Sequence, residues 1–124
     1  MAQTEDAKAY ADDTTITDIL GDHPRAKILT VLLSEAPNDI NITDIARLAG
    51  LERKTVYSHL DPLLAYGIVE KSRMVGNSTM YRINTDNEAA KALGKLDREL
   101  MQILAAKEDA GELDEEGTPI VTES

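Results

Sequence analysis

The sequence predicts a mainly α fold with one small β-hairpin, an α+β arrangement, and three observations carry that prediction. Apolar residues recur at helical spacing in separate stretches of the 124-residue chain. Two alternating stretches, 68–74 and 78–83, are joined across Val75-Gly76-Asn77 and read as a hairpin. Residues 43–65 read as a short amphipathic helix, a Gly-containing turn and a second helix, which is a helix-turn-helix.

The elements follow in order. Thr14 or Thr15 caps a first helix through Leu20, with Asp18 in its first turn favoured by the helix dipole, and Gly21 ends it. Asp22 caps a second helix with Pro24 in its first turn, where a missing N–H does no harm. Ile28, Val31, Leu32 and Leu33 form its apolar stripe. Pro37-Asn38-Asp39 breaks the chain, and Ile40-Asn41-Ile42 alternates like a very short strand. Thr43 caps the next helix, in which Ile45, Ala46, Leu48 and Ala49 face inward and Gly50 supplies the left-handed residue that ends it.

The helix after Gly50 buries Val56, Leu60, Leu63 and Leu64. Pro62 cannot donate to the Ser58 carbonyl, so a kink or restart is predicted there, with Asp61 as a new cap. Beyond the hairpin, Thr85 to Glu88 read as a capping box that starts a long helix to about Lys107. Its Leu93, Leu96, Leu100 and Ile103 form a short coiled-coil-like seam. That seam either packs back on its own domain or pairs with a second copy. The lack of an obvious internal partner favours a homodimer.

The predicted organisation is an acidic, disordered tail at 1–13, a DNA-binding unit at 14–84, a dimerisation helix at 85–107 and a second acidic, disordered tail at 108–124. One modest core suits this length. With no Phe or Trp, aliphatic side chains and Met must fill it. Zero Cys excludes disulfides, Cys-ligated zinc and thiol redox chemistry. No run approaches the roughly 18 apolar residues of a membrane span. The first residues lack the basic and apolar regions of a signal peptide. The expectation is a soluble, cytoplasmic protein without a membrane partner.

Charge is unevenly placed. The formal net charge is −10, yet residues 1–22 hold one base against six acids and 108–124 hold seven acids and no base. Residues 47–82 carry Arg47, Arg53, Lys54, Lys71, Arg73 and Arg82 against Glu52, Asp61 and Glu70, a net +3. The bases therefore gather at the helix-turn-helix and hairpin. Many acids, much Thr and no Cys also resemble the composition of proteins from salt-loving organisms.

At about 100° per residue, Arg53, Lys54, Tyr57, Ser58 and Asp61 fall within about 140° on the face away from the core. Arg can bridge two acceptors on guanine, Lys supplies a point charge, and Tyr and Ser donate to phosphates. Double-stranded DNA is the partner this face fits. His23 and His59 are the only histidines, and His59, on the flank of the second helix, suits hydrogen bonding or phosphate contact better than metal ligation. No metal site and no cofactor is called for. Met74, Met80 and Met101 read as packing residues. There is no Gly-rich phosphate loop and no nucleophile with a convincing base, so the chain is not read as an enzyme.

Helix-turn-helix, hairpin and flanking helices, in that order, make a winged helix. Residues 40–83, with Ile42-Thr43-Asp44-Ile45-Ala46-Arg47-Leu48-Ala49-Gly50-Leu51 and Met80-Tyr81-Arg82-Ile83, resemble the prokaryotic winged-helix repressors. The nearest types are the ArsR-like, MarR-like and PadR-like families in their archaeal forms, which include a haloarchaeal regulator of the oxidative-stress response. The motif covers roughly a third of the chain, and compatible helices extend it to about 14–105. The resemblance implies base and phosphate contacts by Arg53, Lys54, Tyr57 and Ser58, with Thr43 beside them. It implies wing contacts by Lys71, Arg73, Asn77 and Arg82, and dimerisation through Leu93, Leu96, Leu100 and Ile103. Glu52 stands where such families place Ser or Thr at the recognition-helix cap, which departs from their pattern. The competing expectation is a winged-helix protein-interaction module within a larger complex, without sequence-specific DNA binding of its own.

Overall fold

The computed structural model describes residues 14–121; the expected tail at 1–13, and residues 122–124, lie outside the described residues. Among the described residues, five helices and a three-stranded antiparallel sheet run in the order α1 (Thr15–Leu20), α2 (Pro24–Glu35), β1 (Ile40–Asn41), α3 (Ile42–Ala49), α4 (Arg53–Ala65), β2 (Val69–Val75), β3 (Ser78–Ile83) and α5 (Glu88–Asp109). Strand order is β1-β3-β2. Helices α3 and α4 form the helix-turn-helix, and β2 with β3 form the wing.

The core lies where α2, α3 and α4 meet the sheet. Ile28, Val31 and Leu32 from α2 pack with Ile45 and Ala49 from α3, Val56 and Leu60 from α4, and Val69 and Ile83 from the wing strands. Each large aliphatic side chain so buried contributes about 1.5–3 kcal/mol. That sum decides the fate of Pro62. Helix α4 runs unbroken from Arg53 to Ala65 with Pro62 inside it, so the predicted restart at Asp61 does not occur. An interior proline costs about 3 kcal/mol, but Leu60 and Leu63 flank it at 1% and 4% exposure, and a restart would pull both from the core.

Helix starts are set by tertiary context rather than by the first available cap. His23, not Asp22, caps α2, and its Nδ1 accepts the Arg25 backbone N–H at 3.1 Å. The cause is Pro24 at the first helical position, which confines the preceding residue to extended backbone, here ψ 143. Asn41, not Thr43, caps α3, accepting from the Asp44 N–H at 2.8 Å. Ile40 and Asn41 pair with Tyr81 and Met80, so the chain leaves the sheet at Asn41 and Thr43 becomes an exposed residue of the first turn. Asn87, not Thr85, caps α5, accepting from the Ala90 N–H at 2.9 Å. Thr14 caps α1 as expected, in a reciprocal pair with Thr17, and Gly50 ends α3 in left-handed backbone at φ 70.

Two further expectations change. Val75 belongs to β2, leaving a two-residue turn, Gly76-Asn77, with Gly76 at φ 60. The stretch from 108 onward is folded as far as it is described. After α5, Gly111 turns the chain at φ 73, and the Asp114 carboxylate accepts from the Glu116 and Thr118 N–H groups, both at 2.9 Å. Leu113 bridges Pro119, and the Ile120 N–H donates to the Glu112 carbonyl at 2.9 Å. A self-capping aspartate turn offsets the acidic composition there.

Helix α5 divides its seam. Leu93 is partly buried against the domain's own core, and the Thr15 hydroxyl of α1 donates to Asp97 at 3.2 Å. Beyond this, Leu96 (36%), Met101 (55%) and Ile103 (51%) are exposed, as is Ile19 of α1. The helix therefore packs Leu93 on its own domain, lines a groove with α1 and the final turn through Leu100 and Leu104, and leaves Leu96, Met101 and Ile103 exposed.

Replacing Asn41 by Ala is expected to lower the unfolding free energy in urea by about 1 kcal/mol, while Thr43→Ala stays within about 0.5 kcal/mol. Equal losses would return the cap to Thr43.

Candidate nucleic-acid interface

Burial of Val56, Leu60 and Leu63 turns the opposite face of α4 outward. Arg53, Lys54, Tyr57, Ser58 and Asp61 are all exposed, as their angular spacing predicted. Helix α4 begins at Arg53 after Glu52, which makes no side-chain capping bond. The first N–H groups of α4 thus lie uncapped next to the Arg53 and Lys54 side chains. The Ser58 hydroxyl donates back to the Thr55 carbonyl at 3.1 Å.

The fold brings four predicted residues from three elements to one place. Thr43 of α3, Arg53 and Tyr57 of α4 and Asn77 of the wing turn line a polar cleft of about 100 Å³, together with Ser78 and Thr79. Tyr81 of β3 is 5% exposed and pairs with Ile40 of β1 and Lys71 of β2. Burial raises the Tyr81 phenol above its usual range, helped by Tyr57 and Asp61, so it stays neutral.

The wing differs from the row of open cations that the sequence suggested. Arg73 donates to Asp39 through Nε at 2.9 Å and Nη2 at 3.2 Å, and Arg82 donates to Glu70 at 2.9 Å. Arg47 pairs with Asp44 at 3.4 Å. In contrast, no hydrogen bond or ion pair among the described residues engages the side chain of Arg53, Lys54 or Lys71. Within the helix-turn-helix and wing, the unneutralised positive charge therefore sits at the start of α4 and at one point of the wing.

Asp39 is the site residue that sequence reasoning missed. It lies in the loop before β1, where Pro37-Asn38-Asp39 read only as a breaker. Its side chain is 12% exposed and takes the Arg73 guanidinium and the Ser72 hydroxyl together. Ser72 is available because β2 bulges there: Lys71 faces Tyr81, Arg73 faces Met80, and Ser72 is the extra residue. The contact ties the wing to the loop that precedes the helix-turn-helix. A signal was present in the sequence, an acid beside a short strand, but its partner is 34 residues away.

A second tie joins α4 to α2. The Arg25 side chain reaches the His59 Nδ1 at 3.2–3.3 Å, and the His23 ring meets His59 edge-on at 5.2 Å. Burial, then the Arg25 cation and His23, lower the His59 pKa, so its ring is held as a neutral acceptor. At the far end of α4, the Asn87 side chain donates to the Tyr66 carbonyl at 3.1 Å and Asn84 to the Gly67 carbonyl at 3.1 Å. Gly67 stands at φ 75, and a Cβ on it would meet the Asn87 amide at 3.0 Å.

No protein-family model and no curated protein matches the chain. Among solved structures, it is similar to the homodimeric winged helix-turn-helix DNA-binding domain of a possible ArsR-family transcriptional regulator from Mycobacterium bovis, with 26% identity over 76% of this chain and 78% of that one, at a TM-score of 0.49. It is similar to a DNA-binding protein from Sulfolobus solfataricus, with 23% identity over 69% of this chain and 90% of that one, at 0.47. It is also similar to a MarR family transcriptional regulator from Silicibacter pomeroyi, with 22% identity over 76% of this chain and 74% of that one, at 0.53. This last likeness establishes the winged-helix fold.

The Arg73 and Ser72 bonds lower the Asp39 pKa from 3.8 to about 2. A depressed folded value means the clamp stabilises the protein above the ordinary carboxylate pKa, and the gain is lost as pH falls from 3.8 toward about 2. In carbon-detected NMR the Asp39 carboxyl should titrate near 2, and Arg73→Ala should return it toward 3.8. A native midpoint at the ordinary value removes the clamp.

Proposed function

We propose that this chain is a sequence-specific DNA-binding transcription regulator, acting as a homodimer on a pseudo-palindromic promoter site and adapted to high salt. The observation that carries this reading is the open charge of Arg53 and Lys54 on an outward recognition helix, sharing one cleft with Thr43, Tyr57 and Asn77. Helix α4 enters the major groove, where Arg53 bridges base acceptors and Lys54, Tyr57 and Ser58 hold phosphates. Lys71 and Asn77 meet the flanking backbone. Arg73 and Arg82 reach DNA only by exchanging Asp39 and Glu70 for phosphate.

The dimer forms through the apolar side of α5, with Leu96, Leu100 and Ile103 against a second copy. Leu93 contributes from its place at the edge of the core. A twofold pair would set two recognition helices about one DNA turn apart. The acid-rich composition supports a salt-adapted, archaeal and cytoplasmic setting. An oxidative-stress response in a chain without Cys would pass through a metal, Met oxidation or a partner.

Purified protein in molar KCl should retain a subset of genomic fragments selectively. Uniform or absent retention sinks the regulator in favour of a protein-interaction module. Within the retained set, Arg53→Ala is expected to cost about 1–3 kcal/mol and to relax preference at one base position, whereas Lys71→Ala weakens all sequences alike. An unchanged site preference in the Arg53 variant excludes direct readout by that residue.

Leu100→Asp combined with Ile103→Asp should give a folded monomer by sedimentation. A dimer that survives the double change moves the interface off α5.

A further inference from the structure

Away from the helix-turn-helix face, a groove of about 370 Å³ opens between the end of α2, the end of β3 and the first half of α5. Its size falls within the range of small-ligand sites. Leu33, Ala36, Ile83 and Ala90 line it, so its apolar walls are aliphatic, and no aromatic side chain offers a stacking surface.

Gly94 lies on its floor, in the interior of α5, where glycine weakens a helix. Its backbone is not in the left-handed region, so conformation does not require it. The missing side chain makes room: Nη1 of Arg98 lies 3.3 Å from where a Gly94 Cβ would stand. The Arg98 guanidinium is thus folded back along the groove. Among the described residues it has no hydrogen-bond or ion-pair partner. The other charged groups of the groove are engaged, Lys91 with Glu88 at 3.0 Å and Asp97 with the Thr15 hydroxyl at 3.2 Å. With Lys91 neutralised by Glu88, Arg98 carries the one unpaired positive charge among the residues lining the groove.

We propose that this groove binds a short aliphatic carboxylate, its carboxylate on Arg98 and its chain against Leu33, Ile83 and Ala90. A guanidinium is the side chain best matched to a carboxylate, and the pair strengthens beside apolar walls. The groove joins α5 to the strand that leaves the wing, so an occupant preferring one α5–wing arrangement would shift the population toward it. That consequence rests on the DNA-binding reading; the binding itself does not.

Sodium hexanoate titrated into the full chain tests it, followed by amide NMR, with hexanol as an uncharged probe of equal length. Saturating shifts at Ile83, Ala90 and Gly94 are expected, and hexanol should bind about tenfold more weakly. Arg98→Gln should weaken hexanoate about tenfold. Gly94→Leu should fill the floor and abolish binding while the melting transition is kept. Absent shifts, equal binding of hexanol, or an Arg98→Gln variant that binds as tightly as the native chain would each overturn the proposal. A change of self-association in Arg98→Gln at unaltered hexanoate affinity would make the groove a contact between copies and overturn it as well. Loss of selective DNA retention with hexanoate binding intact would sink the regulator and leave the groove standing.

Discussion

Everything that faces outward here depends on what one helix buries. Val56, Leu60 and Leu63 lock α4 against α2, α3 and the wing strands, and that seam is strong enough to carry a proline through the helix interior. With rotation about the helix axis fixed, Arg53, Lys54, Tyr57 and Ser58 have only one direction left, toward solvent. The remaining ties set the helix's ends rather than its face. Arg25 and His23 hold His59 on one flank, and Asn84 and Asn87 hold the turn after Ala65. Preorganisation of this kind matters to a surface that must match a partner's shape, because few side chains need to be ordered on contact.

Charge is organised around the same face by subtraction. The chain is acidic, and its carboxylates take up the wing arginines: Asp39 holds Arg73 and Glu70 holds Arg82. The exposed Arg82–Glu70 pair adds little stability, and both pairs remove free positive charge from the wing. Arg53 and Lys54 remain open where α4 begins. In molar salt the Debye length shrinks to about 3 Å, and the counterion-release advantage of a broadly basic surface fades. A few open cations at contact distance suit those conditions better than many at long range.

The helices, the hairpin and the exposed face of α4 were legible in the sequence because each rests on local periodicity: three- and four-residue spacing, alternation, and a glycine turn. What escaped was non-local. His23 over Asp22, Asn41 over Thr43 and Asn87 over Thr85 are choices between neighbouring residues that could each cap. They were made by a proline, by pairing of Ile40 and Asn41 with a strand some forty residues on, and by an asparagine that also reaches back to Tyr66. Arg73 read as an open wing cation because Asp39 is distant in sequence and a bulge at Ser72 brings the two together. The final stretch read as disordered on charge alone, although Asp114 and Gly117 form a turn that caps itself.

The divided seam of α5 links these observations to assembly. A single apolar stripe in a sequence cannot distinguish packing on its own domain from pairing with a copy, and the structure uses it for the first while leaving residues for the second. Leu93 belongs to the core, whereas Leu96 and Ile103 stand open. One continuous helix carries all of these residues, and its direction is set by Leu93 against the core and by Leu100 and Leu104 beside α1 and the final turn. Any partner docking on the exposed Leu96 and Ile103 would therefore be set at a fixed angle to α4. Asn87 sharpens this coupling, since one side chain both caps α5 and bonds the carbonyl that follows α4. The direction of α5 and the end of the outward helix are thus adjusted by the same residue, so neither shifts without straining the other.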